Sequence, residues 1–129
     1  MFFDKKIQEV KGFVGRLLND RPEGRRVDVR TMRVVAGFVI PIEDRKPRVD
    51  RAFTATTKDF SNTGVAMVLK EPTAPEEAIL GFHLSAKMVF FRAEFRHTEP
   101  MGGGFYQHGY QLFEVVSLKD YPELESLKL

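Results

Sequence analysis

Apolar and polar positions along this chain follow two rhythms. Over residues 1–18, Phe3, Ile7, Val10, Val14 and Leu17 recur in steps of three and four, with Lys5, Lys6, Glu9, Lys11 and Arg16 between them. That spacing lines one face of an amphipathic helix. Asp4 suits the unpaired N–H groups and dipole of a first turn, and Asn19-Asp20 followed by Pro22 and Gly24 ends the element. Gly12 and Gly15 each weaken such a helix in isolation by about 1 kcal/mol relative to alanine. The helix therefore needs a surface to pack on, either the rest of its own chain or a second molecule, and Phe2 and Phe13 broaden its apolar face.

From Met32 onward the rhythm shortens to that of strands. Met32 to Ile40 is rich in β-branched and aromatic residues, Pro41 stops the run, and residues 43–48 form a charged loop. Ala52–Thr57, Val65–Leu69 and Ala78–Phe82 follow, the last two separated by Pro72 and Pro75. In Lys87–Arg96, Val89, Phe91, Ala93 and Phe95 share one face, which alternation points inward, while Met88, Phe90, Arg92, Glu94 and Arg96 share the other. Met101 to Gly104 is a turn and Phe105–Val116 the returning strand. The expected fold is all-β: a small antiparallel six-stranded barrel, whose closure buries an aromatic-rich core and leaves no exposed edges. Asp120 as a cap and Pro122 in a first turn predict a short C-terminal helix. Its Leu118, Tyr121, Leu124 and Leu127 are expected to pack on the barrel. The predicted organisation is residues 1–20 as the helix and 21–129 as the barrel domain.

Two polar stretches interrupt these patterns. Asp59-Phe60-Ser61-Asn62-Thr63-Gly64 reads as a turn between two strands, with Asp59 and Ser61 able to bond local backbone and Gly64 able to take a positive φ. Upstream, Arg21-Pro-Glu-Gly-Arg25-Arg26-Val-Asp-Val-Arg30 concentrates guanidinium groups just before the first strand. Its Arg-x-x-x-Arg spacing can be read as Arg21 with Arg25 or as Arg26 with Arg30. Read instead as the start of a strand, Arg26, Asp28 and Arg30 would share a solvent face.

An Arg-x-x-x-Arg segment before a first strand, followed by Asp59-x-Ser61-x-x-Gly64 and an all-β pattern, resembles the PilZ domain family, whose members bind the bacterial second messenger cyclic di-GMP. The resemblance runs from Arg21 to the end, with Gly109 to Phe113 in the place of the family's last barrel strand. It favours Arg26 and Arg30 as the pair. It implies that Arg26 and Arg30 hold phosphates and guanine faces with Arg25 assisting. It implies further that Asp59 accepts from a guanine edge, that Ser61 bonds guanine or phosphate, and that Gly64 shapes the turn. It also implies a receptor that changes conformation and regulates an unknown downstream partner in motility, biofilm or exopolysaccharide control. The alternative is a PilZ-like adaptor without a nucleotide, acting through protein contacts of the first helix, through which a homodimer could also form.

Composition narrows these readings. With 129 residues and 43% hydrophobic content, one domain suffices. Twenty Lys and Arg stand against 18 Asp and Glu, so basic charge is local, which suits a small anion better than DNA or RNA. The absence of cysteine removes disulfides and thiolate chemistry. No run reaches the ~20 apolar residues of a membrane span and no secretory leader is evident, so a cytoplasmic protein is expected. His83, His97 and His108 lack ligand spacing. Gly102-Gly103-Gly104 lacks the Lys-Ser/Thr of a phosphate loop, and Ser61 lacks a nucleophile elbow. No metal, cofactor or catalytic activity is expected. Arg48 and Arg51 read as solvated loop charge.

Overall fold

The alternating runs pair into one antiparallel sheet that closes on itself. The computed structural model describes residues 5–18, 31–32, 34–61, 63–84 and 86–127. Helix α1 spans Lys5–Leu18; the strands are β1 Thr31–Met32, β2 Ala36–Glu43, β3 Lys46–Pro47, β4 Phe53–Phe60, β5 Gly64–Leu69, β6 Glu77–Leu84, β7 Lys87–Gly102 and β8 Phe105–Val116. The ring runs β4, β5, β8, β7, β6, β2 and is closed by pairing of β2 with β4, giving a six-stranded barrel. The short strands are appendages: β1 extends β4, and β3 folds back on β2.

The barrel interior holds the inward-facing set expected from the alternation. Val89, Phe91 and Ala93 are buried beside Phe60, Met67, Leu80, Phe82 and Leu112, with Phe95 partly buried against them. Helix α1 adds to the same core. Val10 and Val14 are completely buried in it, and Phe13 meets Phe91 edge to face with ring centres 6.3 Å apart. The amphipathic helix thus packs on its own barrel.

A second apolar cluster lies on the opposite face of β2, β6 and β7, where Phe38, Ile40, Ile79 and Phe90 meet Leu124 of the C-terminal tail. These strands are covered on both faces, which explains why Gly37 to Pro41 are all buried. The short helix expected in the tail is a 3-10 helix, Pro122–Ser126, and its cap is Tyr121, not Asp120. Tyr121, Leu124 and Leu127 pack on the barrel as expected, while Leu118 remains 41% exposed.

Two further expectations are corrected. Pro41 does not stop its strand: β2 continues to Glu43, with Pro41 paired to Ala78. Its pairing with β4 ends at Val39, and the Pro41 carbonyl faces the returning chain, accepting the Arg48 N–H at 2.7 Å. The missing proline N–H therefore costs the β2–β6 ladder nothing. The charged loop is a hairpin in which Asp44 and Arg45 carry φ of 53° and 65°, the left-handed pair of a two-residue β-turn. Arg48 and Arg51 are bound there to Glu43, at 3.0 and 2.8 Å.

Three strand glycines lie opposite rings: Gly37 faces Phe82, Gly81 faces Phe90, and Gly109 faces His97. At Gly37 and Gly81 an added Cβ would come within 2.6 Å of the ring. The β5–β6 connection is pinned by two buried side chains of β8. His108 Nε2 donates to the Glu71 carbonyl at 2.8 Å, and Nδ1 meets the Thr98 hydroxyl at 2.7 Å. The Tyr110 hydroxyl donates to the Pro75 carbonyl at 2.7 Å, and burial pushes its phenol well above the ordinary range.

Candidate functional site

The Asp59 to Gly64 stretch lies where β4 turns into β5, though not wholly as a turn. Asp59 and Phe60 are the last residues of β4 and Gly64 the first of β5. The register steps from Thr57 opposite Met67 to Asp59 opposite Ala66, leaving Lys58 as an extra residue. A bulge of this kind twists a strand and redirects its side chains. Asp59 is only 3% exposed, with Lys58 Nζ 3.9 Å from its carboxylate.

Ser61 sits at the tip, where its N–H donates to the Gly64 carbonyl at 2.9 Å. Gly64 does not carry the positive φ expected of it; among the described glycines only Gly102, Gly103 and Gly104 do. Its reason is steric. A Cβ there would stand 3.0 Å from Ser61 Oγ and 3.3 Å from the Tyr110 carbonyl, so glycine lets the serine hydroxyl fold over the strand.

The turn is tied to β8 on its other side. Gly64 is the register partner of Gln111, whose side-chain N–H donates to Thr63 Oγ1 at 3.0 Å, while the Leu112 N–H donates to the Thr63 carbonyl at 2.7 Å. These bonds tie the Thr63 end of the turn to β8. Neither Thr63 nor Gln111 stood out in the sequence, because their meeting depends on the β5–β8 register.

Arg21, Arg25, Arg26 and Arg30 lie outside the described residues. What is described is where the chain resumes. Thr31 pairs with Phe60 and Met32 with Asp59, so the chain joins the barrel directly after Arg30 in sequence, at the end of β4 that leads into Ser61.

Across β8 from the turn lies a charged strip. Arg92 Nε donates to Glu114 at 3.2 Å and its terminal nitrogen to Glu94 at 3.4 Å. Arg96 is less tightly held, 3.9 Å from Glu94 and about half exposed. Both guanidinium groups lie over the ring of Phe113, their carbons 5.0 and 5.4 Å from its centre. Alternation placed Arg92, Glu94 and Arg96 on one face, but gave no sign that Phe113 lies beneath them. Glu114 is held below the usual carboxylate range, first by its hydrogen bond with Lys6 of α1 and then by Arg92.

Among the described residues no group of three metal-capable side chains converges, and no helix is long and apolar enough to cross a membrane.

No family model and no curated protein matches the chain. Among solved structures it is similar to the Bacillus subtilis inhibitor of motility MotI/DgrA, with a TM-score of 0.52 and 18% sequence identity. The match covers 78% of this chain and 48% of that one, so the chain spans about half the length of the protein it resembles. A likeness at this identity speaks to architecture. The closed antiparallel barrel with its N-terminal helix is a PilZ-like barrel.

Proposed function

We propose that this protein is a cyclic di-GMP receptor that regulates a partner protein in bacterial motility, biofilm or exopolysaccharide control. The observation that carries the reading is the β1–β4 pairing. Thr31 is set opposite Phe60, so the chain resumes beside the Ser61 turn directly after Arg30 in sequence, which supports a reading in which both halves of the motif act on one ligand. A fold shared with an inhibitor of motility supports a regulatory role over a catalytic one.

Each residue has chemistry suited to its part. Arg26 and Arg30, with Arg25 assisting, offer planar forks to phosphate oxygens and flat faces to guanine, which lysine could not. Ser61 presents a hydroxyl at the turn, and Gly64 leaves room for it. Asp59 is enclosed, so its contact with a guanine edge requires the surrounding chain to rearrange on binding. That rearrangement is a means of passing the signal on. A micromolar complex needs about 8 kcal/mol. Charge-assisted hydrogen bonds at about 1.5–3 kcal/mol each and stacking at about 1–3 kcal/mol per base together reach it.

In this reading residues 21–129 are the ligand-binding domain, acting in the cytoplasm, and residues 1–20 a helix docked on it. The adaptor alternative relied on the apolar face of that helix. Val10 and Val14 are buried in the barrel and Phe13 packs on Phe91, so a partner or second copy using that face would have to draw the helix out.

Calorimetric titration with cyclic di-GMP, with GTP and GMP as controls, tests the proposal. Saturable binding selective for the cyclic dinucleotide is expected, and its stoichiometry distinguishes one bound nucleotide from two. Absence of heat and of thermal shift at high ligand concentration would overturn it.

A further inference from the structure

We infer that the strip formed by Glu94, Arg96 and Phe113 on the outer face of β7 and β8 receives one guanine base of the cyclic dinucleotide and distinguishes it from adenine; this rests on the receptor reading above. The register steps from Arg92 opposite Glu114 to Ala93 opposite Leu112, leaving Phe113 as an extra residue in β8, and from Phe95 opposite Tyr110 to His97 opposite Gly109, leaving Arg96 as an extra residue in β7. Both are bulges, and bulges redirect side chains. The two redirected side chains meet, with the Arg96 guanidinium carbon 5.4 Å from the Phe113 ring centre.

Gln111 is the register partner of both Gly64 and Glu94, so one residue links the Ser61 turn to the strip. Strand geometry puts Phe113 roughly 9 Å from Gly64, a separation that one ligand anchored at Ser61 can bridge.

Arg92 and Arg96 both cover the Phe113 ring, so a purine meets the strip on its guanidinium groups, with the ring behind them holding the cations in place. Arg96 approaches its carboxylate only to 3.9 Å, beyond hydrogen-bond distance, so its donors can turn to the O6 and N7 acceptors of guanine. Glu94 can accept from the donors on guanine's pairing edge, where adenine presents an acceptor. Arg92 has a different part. Bound to Glu114 and Glu94, it fixes the strip rather than contacting the base.

The test compares cyclic di-GMP and cyclic di-AMP binding by calorimetry in the full chain, in Phe113→Ala, Arg96→Ala and Glu94→Gln, in Ser61→Ala, and in Arg45→Ala as a surface control, with melting curves for each. Phe113→Ala and Arg96→Ala are expected to weaken cyclic di-GMP binding at least tenfold. Glu94→Gln should lower the preference over cyclic di-AMP by a similar factor, and Arg45→Ala should match the parent. If Ser61→Ala weakens binding while Phe113→Ala and Arg96→Ala, still folded, bind as the parent does, the strip is excluded and the turn retained. If the parent chain binds no cyclic di-GMP, both readings fall together.

Discussion

Lys6 on α1 and Glu114 on β8 form an ion pair at 2.9 Å, and Glu114 accepts at the same time from Arg92 at 3.2 Å. One carboxylate thus ties the helix to the strip beside the candidate site. Lys6 is 70% exposed along its side chain, so the pair itself stabilises the fold by only about 0–1 kcal/mol.

Its pH dependence is the clearer signature. The folded-state pKa of Glu114 lies below the ordinary value of 4.5, so its contribution is present above that pH and is lost as the pH falls through the lowered value. Glu114→Gln should be less stable than the parent at neutral pH and converge with it in strong acid. Urea denaturation at pH 7 and pH 3 measures the difference.

At alkaline pH the sign reverses for Tyr110. Its buried phenol has a pKa raised above the ordinary 10.0, so stability is intact below pH 10 and declines as the pH rises beyond it. Tyr110→Phe should lose about 1 kcal/mol at neutral pH with the bond to the Pro75 carbonyl, and should have a shallower alkaline decline. Denaturation curves at pH 7 and pH 11 provide the check.

The C-terminal tail is predicted to be integral to the fold. Leu124 is completely buried in the outer cluster, whereas Leu118 is 41% exposed. Leu124→Ala should cost about 2–5 kcal/mol and Leu118→Ala within about 0.5 kcal/mol of nothing. Equal melting temperatures for the two variants would refute this account.

At Gly64, alanine would press on Ser61 Oγ and on the Tyr110 carbonyl. The hydroxyl can swing away but the backbone cannot. The expected cost is about 1 kcal/mol, the low end for overpacking, with weaker cyclic di-GMP binding because Ser61 is displaced. Thermal melting and titration read the two effects separately.

Arg30→Ala should abolish most cyclic di-GMP binding while changing the melting temperature little, since the arginine is assigned to the ligand rather than to the core. Unchanged affinity by titration would remove it from the site.

What could be read in the sequence was what depends on local alternation. Val89, Phe91 and Ala93 face inward because nothing interrupts the period-two pattern there, and α1 follows from steps of three and four. Phe90 and Met88 were assigned a face but not a cover, because the tail reaches them only in three dimensions. The site was legible as motifs, not as geometry. Asp59 lies within a strand, beside a bulge at Lys58, instead of in a turn, and bulges at Arg96 and Phe113 leave no mark in hydropathy. Gly64 was singled out for a positive φ that it does not adopt, and its crowding against Ser61 depends on the turn's geometry. The four arginines of the upstream segment lie outside the described residues, so the structure leaves their choice of pair to the binding experiments.

The order of strands around the ring bears on how fast the protein reaches this state. β6, β7 and β8 are joined by local hairpins, but β2 must find β6, pairing Ile40 with Ile79, and β5 must find β8, pairing Leu69 with Tyr106. Contacts so distant in sequence demand loop closure before they give any return. Folding is therefore expected on the order of milliseconds to seconds, the range of barrels dominated by non-local pairing, and not the microseconds open to helical bundles. Until those pairings form, the inner face on which Val10 and Val14 rest is incomplete, so α1 gains its full docking surface only as the ring closes.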